Sequence, residues 1–300
     1  MQTNTSSNAS PLCVLDARAQ LGECPRWDER RQVLYWVDIL GQALHRFDPA
    51  TGSDVTFALP EAIGCFALAE DGGFIAGLRS GIWRLDAQAR PQEQLCANPE
   101  DIRTSRFNDG RCDPRGRFIA GTIDEPKAGG RAHLYRLSQQ RLEVLSHGLL
   151  TSNGLAFSPD GRWMYHADTP NFTIYRSAYD VATGACGPRA TWVSIAPTAE
   201  DRGRPDGAAV DAEGGYWSAF YEGGRVVRFT PAGKVDAMYP LPVQCPTMCA
   251  FGGPDLRTLY ITTARAGRPP AELAGQPQAG GLFALRTAVP GLIEPRWRGC

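Results

Sequence analysis

The stretch Asn153-Gly-Leu-Ala-Phe-Ser-Pro-Asp-Gly161, followed by Trp163-Met-Tyr-His-Ala-Asp168, reads as a polar residue, a short apolar strand, a turn and a second strand. The same order recurs at Asp206-Gly-Ala-Ala-Val-Asp-Ala-Glu-Gly214 before Tyr216-Trp-Ser-Ala219, and at Asn108-Asp-Gly-Arg-Cys-Asp-Pro-Arg-Gly116 before Phe118-Ile-Ala-Gly121. Looser copies run from Glu23 to Trp36, from Gly64 to Gly77 and from Thr247 to Thr262. A third strand follows in each unit, among them Ala43–Asp48, Gly81–Asp86 and Arg225–Phe229. Turns such as Asp48-Pro-Ala-Thr-Gly52 come after it and supply the unusual φ values that tight hairpins need. The lead positions 23, 64, 108, 153, 206 and 247 are spaced by 41, 44, 45, 53 and 41 residues, the length of a four-stranded blade. No window keeps a helical period. Six copies in one register predict an all-β, six-bladed β-propeller, which a generic sandwich does not explain.

The chain has 300 residues, 43% of them hydrophobic, enough for one large core. We read residues 1–11 as a loose polar tail and 12–300 as a single propeller domain. The 31 basic and 32 acidic residues are not segregated, which argues against a nucleic-acid footprint. No apolar stretch nears the roughly 20 residues that span a bilayer, and Met1 to Ser10 lack the pattern of a signal peptide. Nine scattered cysteines without a Cys-x-x-Cys pair fit reduced thiols in a cytoplasmic protein, acting mostly as small hydrophobes. Such a protein is expected to be a monomer or a weak homo-oligomer, with no nucleic-acid or membrane partner.

In a propeller the innermost strands begin at one height beside the axis, so homologous lead residues converge. Here they are Glu23, Gly64, Asn108, Asn153, Asp206 and Thr247. Two carboxylates facing each other across a channel repel unless a cation sits between them. Glu23 and Asp206 match the charge of one divalent ion, Asn153 adds a carbonyl oxygen, and Asn108 adds another directly or through water. Oxygen ligands suit Ca, Mg or Mn, with Zn or Fe also compatible. The competing reading makes each of these residues a turn-former, since Asn-Gly and Asp-Gly are common hairpin turns.

Gly22-Glu-Cys-Pro25, Arg106-Phe-Asn-Asp-Gly110, Gly121-Thr122, Ser152-Asn-Gly154, Pro205-Asp-Gly207, Phe251-Gly-Gly253, Thr262-Thr-Ala-Arg265 and Ala279-Gly-Gly281 resemble, in order, the motifs of the senescence marker protein, regucalcin and gluconolactonase family. The likeness covers roughly residues 12 to 290. It implies a metal-dependent lactonase acting on aldonolactones, with the metal on Glu23, Asn153 and Asp206 and with Arg106 and Asn108 as substrate contacts. Two departures stand out. Cys24 replaces a frequent Gly or Ser, which would put a thiol beside the metal. Vertebrate members carry an acidic pair whose second residue contacts the sugar, and here the run Asp124-Glu-Pro126 places a proline there, so their sugar preference is not carried over.

On this reading a small sugar lactone (1,4 or 1,5) is opened to its aldonic acid. The metal polarises the carbonyl, Asp206 takes a proton from the attacking water, Arg106 bonds ring oxygen or hydroxyls and Asn108 orients the ester. On charge alone Arg106 equally suits a surface salt bridge. Two other functions remain open: a calcium-binding, regucalcin-like regulator with little turnover, and a propeller esterase for less polar esters. His45, His133, His147 and His166 have no metal spacing and are read as structural, Cys245 and Cys249 as packing. Neither Ser80 nor Ser152 sits in a Gly-x-Ser-x-Gly elbow, which disfavours a serine hydrolase. Thr198 to Gly203 and Arg265 to Gln278 are expected to rim the mouth.

Overall fold

The structure is a computed structural model, and it describes residues 10–299. Residues 1–9 of the expected tail lie outside that range. Among the described residues, six four-stranded antiparallel sheets form the blades of a propeller. From the axis outward, blade 1 runs Gly22–Asp28, Val33–Asp38, Ala43–Asp48, Ser53–Ala58. The inner strands of blades 2 to 5 are Ile63–Leu68, Ser105–Cys112, Ser152–Phe157 and Arg204–Val210. Blade 6 consists of Pro246–Gly252, Thr258–Thr263 and Leu282–Arg286, and its outermost strand is Leu12–Leu15 from the other end of the chain. The register Leu12↔Ala284 and Cys13↔Phe283 closes the ring.

Aromatic side chains on the alternating faces fill the seams between blades, as their strand positions imply. Tyr35 meets Phe74 edge-on at 5.1 Å, Tyr165 meets Tyr216 at 5.3 Å, Trp217 meets Phe251 edge-on at 5.7 Å and Trp27 stacks on Tyr260 at 5.8 Å. Each such pair contributes about 0.5–1.5 kcal/mol beyond the area it buries.

Near its start every inner strand slips register against its neighbour. In blades 1, 3, 4 and 5 two residues stand opposite one: 24–25, 108–109, 154–155 and 206–207. In blades 2 and 6 only Gly64 and Thr247 are extra. A bulge bends the strand and re-aims the side chains beside it, and here each bulge falls at a lead position or directly after it. Gly64 has no room for anything larger, because a Cβ there would lie 2.0 Å from the Phe107 carbonyl oxygen. Gly154 takes a left-handed φ of +59° with the Tyr216 hydroxyl against it.

The opposite end of the channel is stoppered by charge. Arg26 and Arg111, from the inner strands of blades 1 and 3, both reach Glu294 (3.1 and 3.3 Å). They also donate to the carbonyls of Gly110 and Ala208.

Candidate active site

The bulges turn Glu23, Asn108, Asn153 and Asp206 to one end of the channel, all buried. The two asparagines are tied by a relay that crosses three blades. Arg106 Nη1 donates to Asn108 Oδ1 (2.8 Å), Asn108 Nδ2 to Asn153 Oδ1 (2.9 Å) and Asn153 Nδ2 to Thr169 Oγ1 (2.8 Å). Thr169 Oγ1 ends the chain on the Pro205 carbonyl, one residue before Asp206 (2.8 Å). Because each link has a fixed donor and acceptor, the Asn153 amide nitrogen is committed and its carbonyl oxygen keeps a lone pair to offer. Thr247 donates its hydroxyl to the Gly22 carbonyl and accepts from the Thr262 hydroxyl, so it braces the strand beside Glu23 and donates nothing to the centre.

The carboxylates show the strain expected of like charges. Burial, then the charges of Asp206 and Asp109, pushes the Glu23 carboxyl well above the usual carboxylate range. Burial and Asp109 push Asp206 up to about 8, against the opposing pull of Arg204, Lys127 and a hydrogen bond from Asn153. Asp109 stands in the sequence only within the motif Arg106-Phe-Asn-Asp-Gly110 and draws no role of its own. In the structure it is a buried carboxylate on the inner strand: Oδ2 accepts the Leu155 amide (2.9 Å), which the blade 4 bulge leaves out of the ladder, and Oδ1 has no partner. Thr169, which holds the Asn153 amide, was also missed, having no strand or turn signal of its own.

Arg106 is no surface salt bridge. It is buried, its Nε lies 3.6 Å from Glu125, and burial pulls its pKa down to about 10. Glu125 in turn is held by Arg79 (2.6 Å). The expectation of a thiol beside the metal is corrected. Cys24 occupies the blade 1 bulge at a left-handed φ of +49°, and its Sγ turns to the next blade, on the amide and carbonyl of Phe66 (3.4 and 3.6 Å).

The histidines sit elsewhere. His45 pairs with Asp54 and His133 with Glu100, while His166 lies fully buried in the second strand of blade 4. A cavity of about 270 Å³ opens at the stoppered end, lined by Phe157, Val210, Phe251 and Ile293 among others. Its one carboxylate, Glu294, is already shared by Arg26 and Arg111.

Among the described residues no group of three or more His, Cys, Asp or Glu is arranged to hold a metal ion. A cation at the mouth therefore needs amide or water oxygens beside two carboxylates. The donors present fit a hard divalent ion: two buried carboxylates whose mutual repulsion it would relieve, and one amide oxygen held in place.

Fold and site thus define a propeller with an acidic, amide-braced centre at one end of its axis. Residues 21–265 match the SMP-30/Gluconolactonase/LRE-like region, and the chain belongs to that family. It is 50% identical to the 6-deoxy-6-sulfogluconolactonase of Pseudomonas putida, over 97% of this chain and 100% of that one. It is 36% identical to a pentonolactonase of Haloferax volcanii, over 94% and 96%. Among solved structures, the calcium-binding protein regucalcin from Agrobacterium tumefaciens superposes with a TM-score of 0.92 at 28% identity, covering 97% of this chain and 98% of that one.

Proposed function

We propose that this protein hydrolyses the ring ester of a sugar lactone, using a divalent ion held by Glu23, Asn153 and Asp206. The enzyme class is that of its family: the chain is a lactonase. The 50% identity to a 6-deoxy-6-sulfogluconolactonase, over 97% of this chain, supports a gluconolactone with an anionic exocyclic group as the substrate. The single observation that carries the metal reading is the pair Glu23 and Asp206, buried at one end of the channel with both carboxyls driven toward protonation.

When bound, the ion supplies Lewis-acid polarisation of the lactone carbonyl. Asp206 accepts the proton of the attacking water at a carboxylate oxygen and returns it to the ring oxygen as the acyl–oxygen bond of the lactone breaks. Asn108 and Asn153, fixed by the relay, hold the ester in register with that oxygen. Arg106, anchored by Glu125, offers its remaining N–H groups to the ring oxygen and hydroxyls. A purely calcium-binding role, suggested by the regucalcin likeness, would use the same ligands without turnover.

The test is to strip the metal, and separately to make Asp206→Asn and Glu23→Gln, and to follow acid release from several sugar lactones. All three manipulations abolish ring opening if the reading holds. Full turnover in both variants overturns it.

A further inference from the structure

We propose that Lys127, Arg204 and Arg268 form a subsite for the anionic exocyclic group of the lactone, resting on the lactonase reading above. The need for such a subsite is electrostatic. The ion proposed above offsets Glu23 and Asp206, so the centre keeps no spare cation for an anionic substituent remote from the ester, and that charge must come from the rim.

The rim provides them on the Asp206 side. Arg204 opens the inner strand of blade 5, two residues before Asp206. It lies over the Tyr221 ring (5.3 Å) and donates to Glu222 Oε2 (2.5 Å). Arg268, from the 265–278 loop, reaches Glu222 Oε1 (2.9 Å), and Arg202 lies 3.9 Å from the same carboxylate. Two carboxylate oxygens thus face three guanidinium groups, each with five N–H donors. The only other acid in contact with these arginines among the described residues is Glu272, 3.7 Å from Arg268. The Nε groups of Arg204 and Arg268 have no hydrogen-bond partner. The loop after Asp124, at the end of the second strand of blade 3, adds Lys127. Its backbone is pinned by Lys127 N to Asp124 O (2.7 Å) and by the amides of Ala128 and Gly129 on the Asp124 carboxylate. Its ammonium is exposed, makes no ion pair among the described residues, and is felt at Asp206. By contrast Arg79, on the blade 2 side, is spent on both oxygens of Glu125 and on the carbonyls of Ile102 and Ser105. Uncompensated positive charge therefore gathers on one side of the mouth, in reach of a substituent remote from the ester.

The experiment compares kcat/KM for gluconolactone with that for its 6-sulfonate, 6-phosphate and 6-carboxylate counterparts, in wild type, Lys127→Glu and Arg268→Met. The ratio of anionic to neutral kcat/KM is expected to fall about tenfold or more in Lys127→Glu for at least one anion, through KM. The wild-type KM for that anion should also rise with added salt. A ratio within twofold of wild type in both variants for all three anions overturns the subsite. So does a wild type that opens the neutral lactone and prefers none of the anions, which leaves the lactonase reading standing. A wild type that opens no lactone at all removes both.

Discussion

Glu23 and Asp28 are two carboxylates five residues apart on one bulged strand, and both are buried. Asp28 is surrounded by cations of the chain's own making. Arg296 bonds it at 2.6 Å and Arg31 at 3.1 Å, and the amides of Arg30 and Arg31 add two more donors. Burial alone would raise its pKa, but these partners outweigh burial and lower it. Glu23 has the Cys24 amide, the distant help of Arg106, and two carboxylates as neighbours. A carboxylate that serves the fold is given its counter-charge from within the chain. Glu23 is given none of comparable strength, which leaves room for the proposed ion, and that difference separates the two ends of the propeller.

The largest expected effect tests the division directly. Asp206→Asn and Glu23→Gln should cut lactone opening on the order of a thousandfold, while the metal-free variants stay folded by circular dichroism. Asp28→Asn should do the reverse. Breaking a buried pair with Arg296 costs about 3–5 kcal/mol of stability in denaturant unfolding, with activity per folded molecule retained. Loss of activity in Asp28→Asn at full stability would break the comparison.

A second test uses pH. Asp206, with its folded pKa near 8, binds more protons folded than unfolded between about pH 4 and 8. Metal-free protein should therefore lose stability as pH rises through that window, and a divalent ion should raise Tm more at pH 8 than at pH 5. Asp28 slopes the other way: its contribution is present above about pH 4 and is lost as pH falls through its lowered folded value. Thermal melts with and without chelator, in wild type and Asp206→Asn, read both slopes.

The smallest effect concerns the residue beside Glu23. Cys24→Ser should keep kcat/KM within about twofold, and a thiol reagent should leave Cys24 untouched in the folded protein, since burial pushes its pKa up to about 12. Modification of Cys24 with loss of activity would place the thiol at the centre after all.

The blades were legible because their grammar is local: an apolar run, an Asp-Gly or Asn-Gly turn and a second run, repeated at blade length. The lead residues followed from that repetition, since equal positions in equal units must meet at the axis. What stayed hidden depends on partners far away in the chain. Leu12–Leu15 carries no sign that it pairs with Leu282–Arg286. The sequence next to Glu23 suggests a thiol at the centre, but the bulge and the left-handed backbone of Cys24 send the sulfur to Phe66. Asp109 draws no role from the sequence because its partner, the Leu155 amide, becomes available only when blade 4 bulges.

The closure of blade 6 by Leu12–Leu15 has a consequence for biosynthesis. On the ribosome, Glu23 emerges early and Asp206 much later, yet neither has a fixed address until residues 282–286 arrive to capture the N-terminal segment. A nascent chain halted before that point holds Glu23 and Asp206 but not the acidic centre they form at the axis, so that centre waits on residues 282–286.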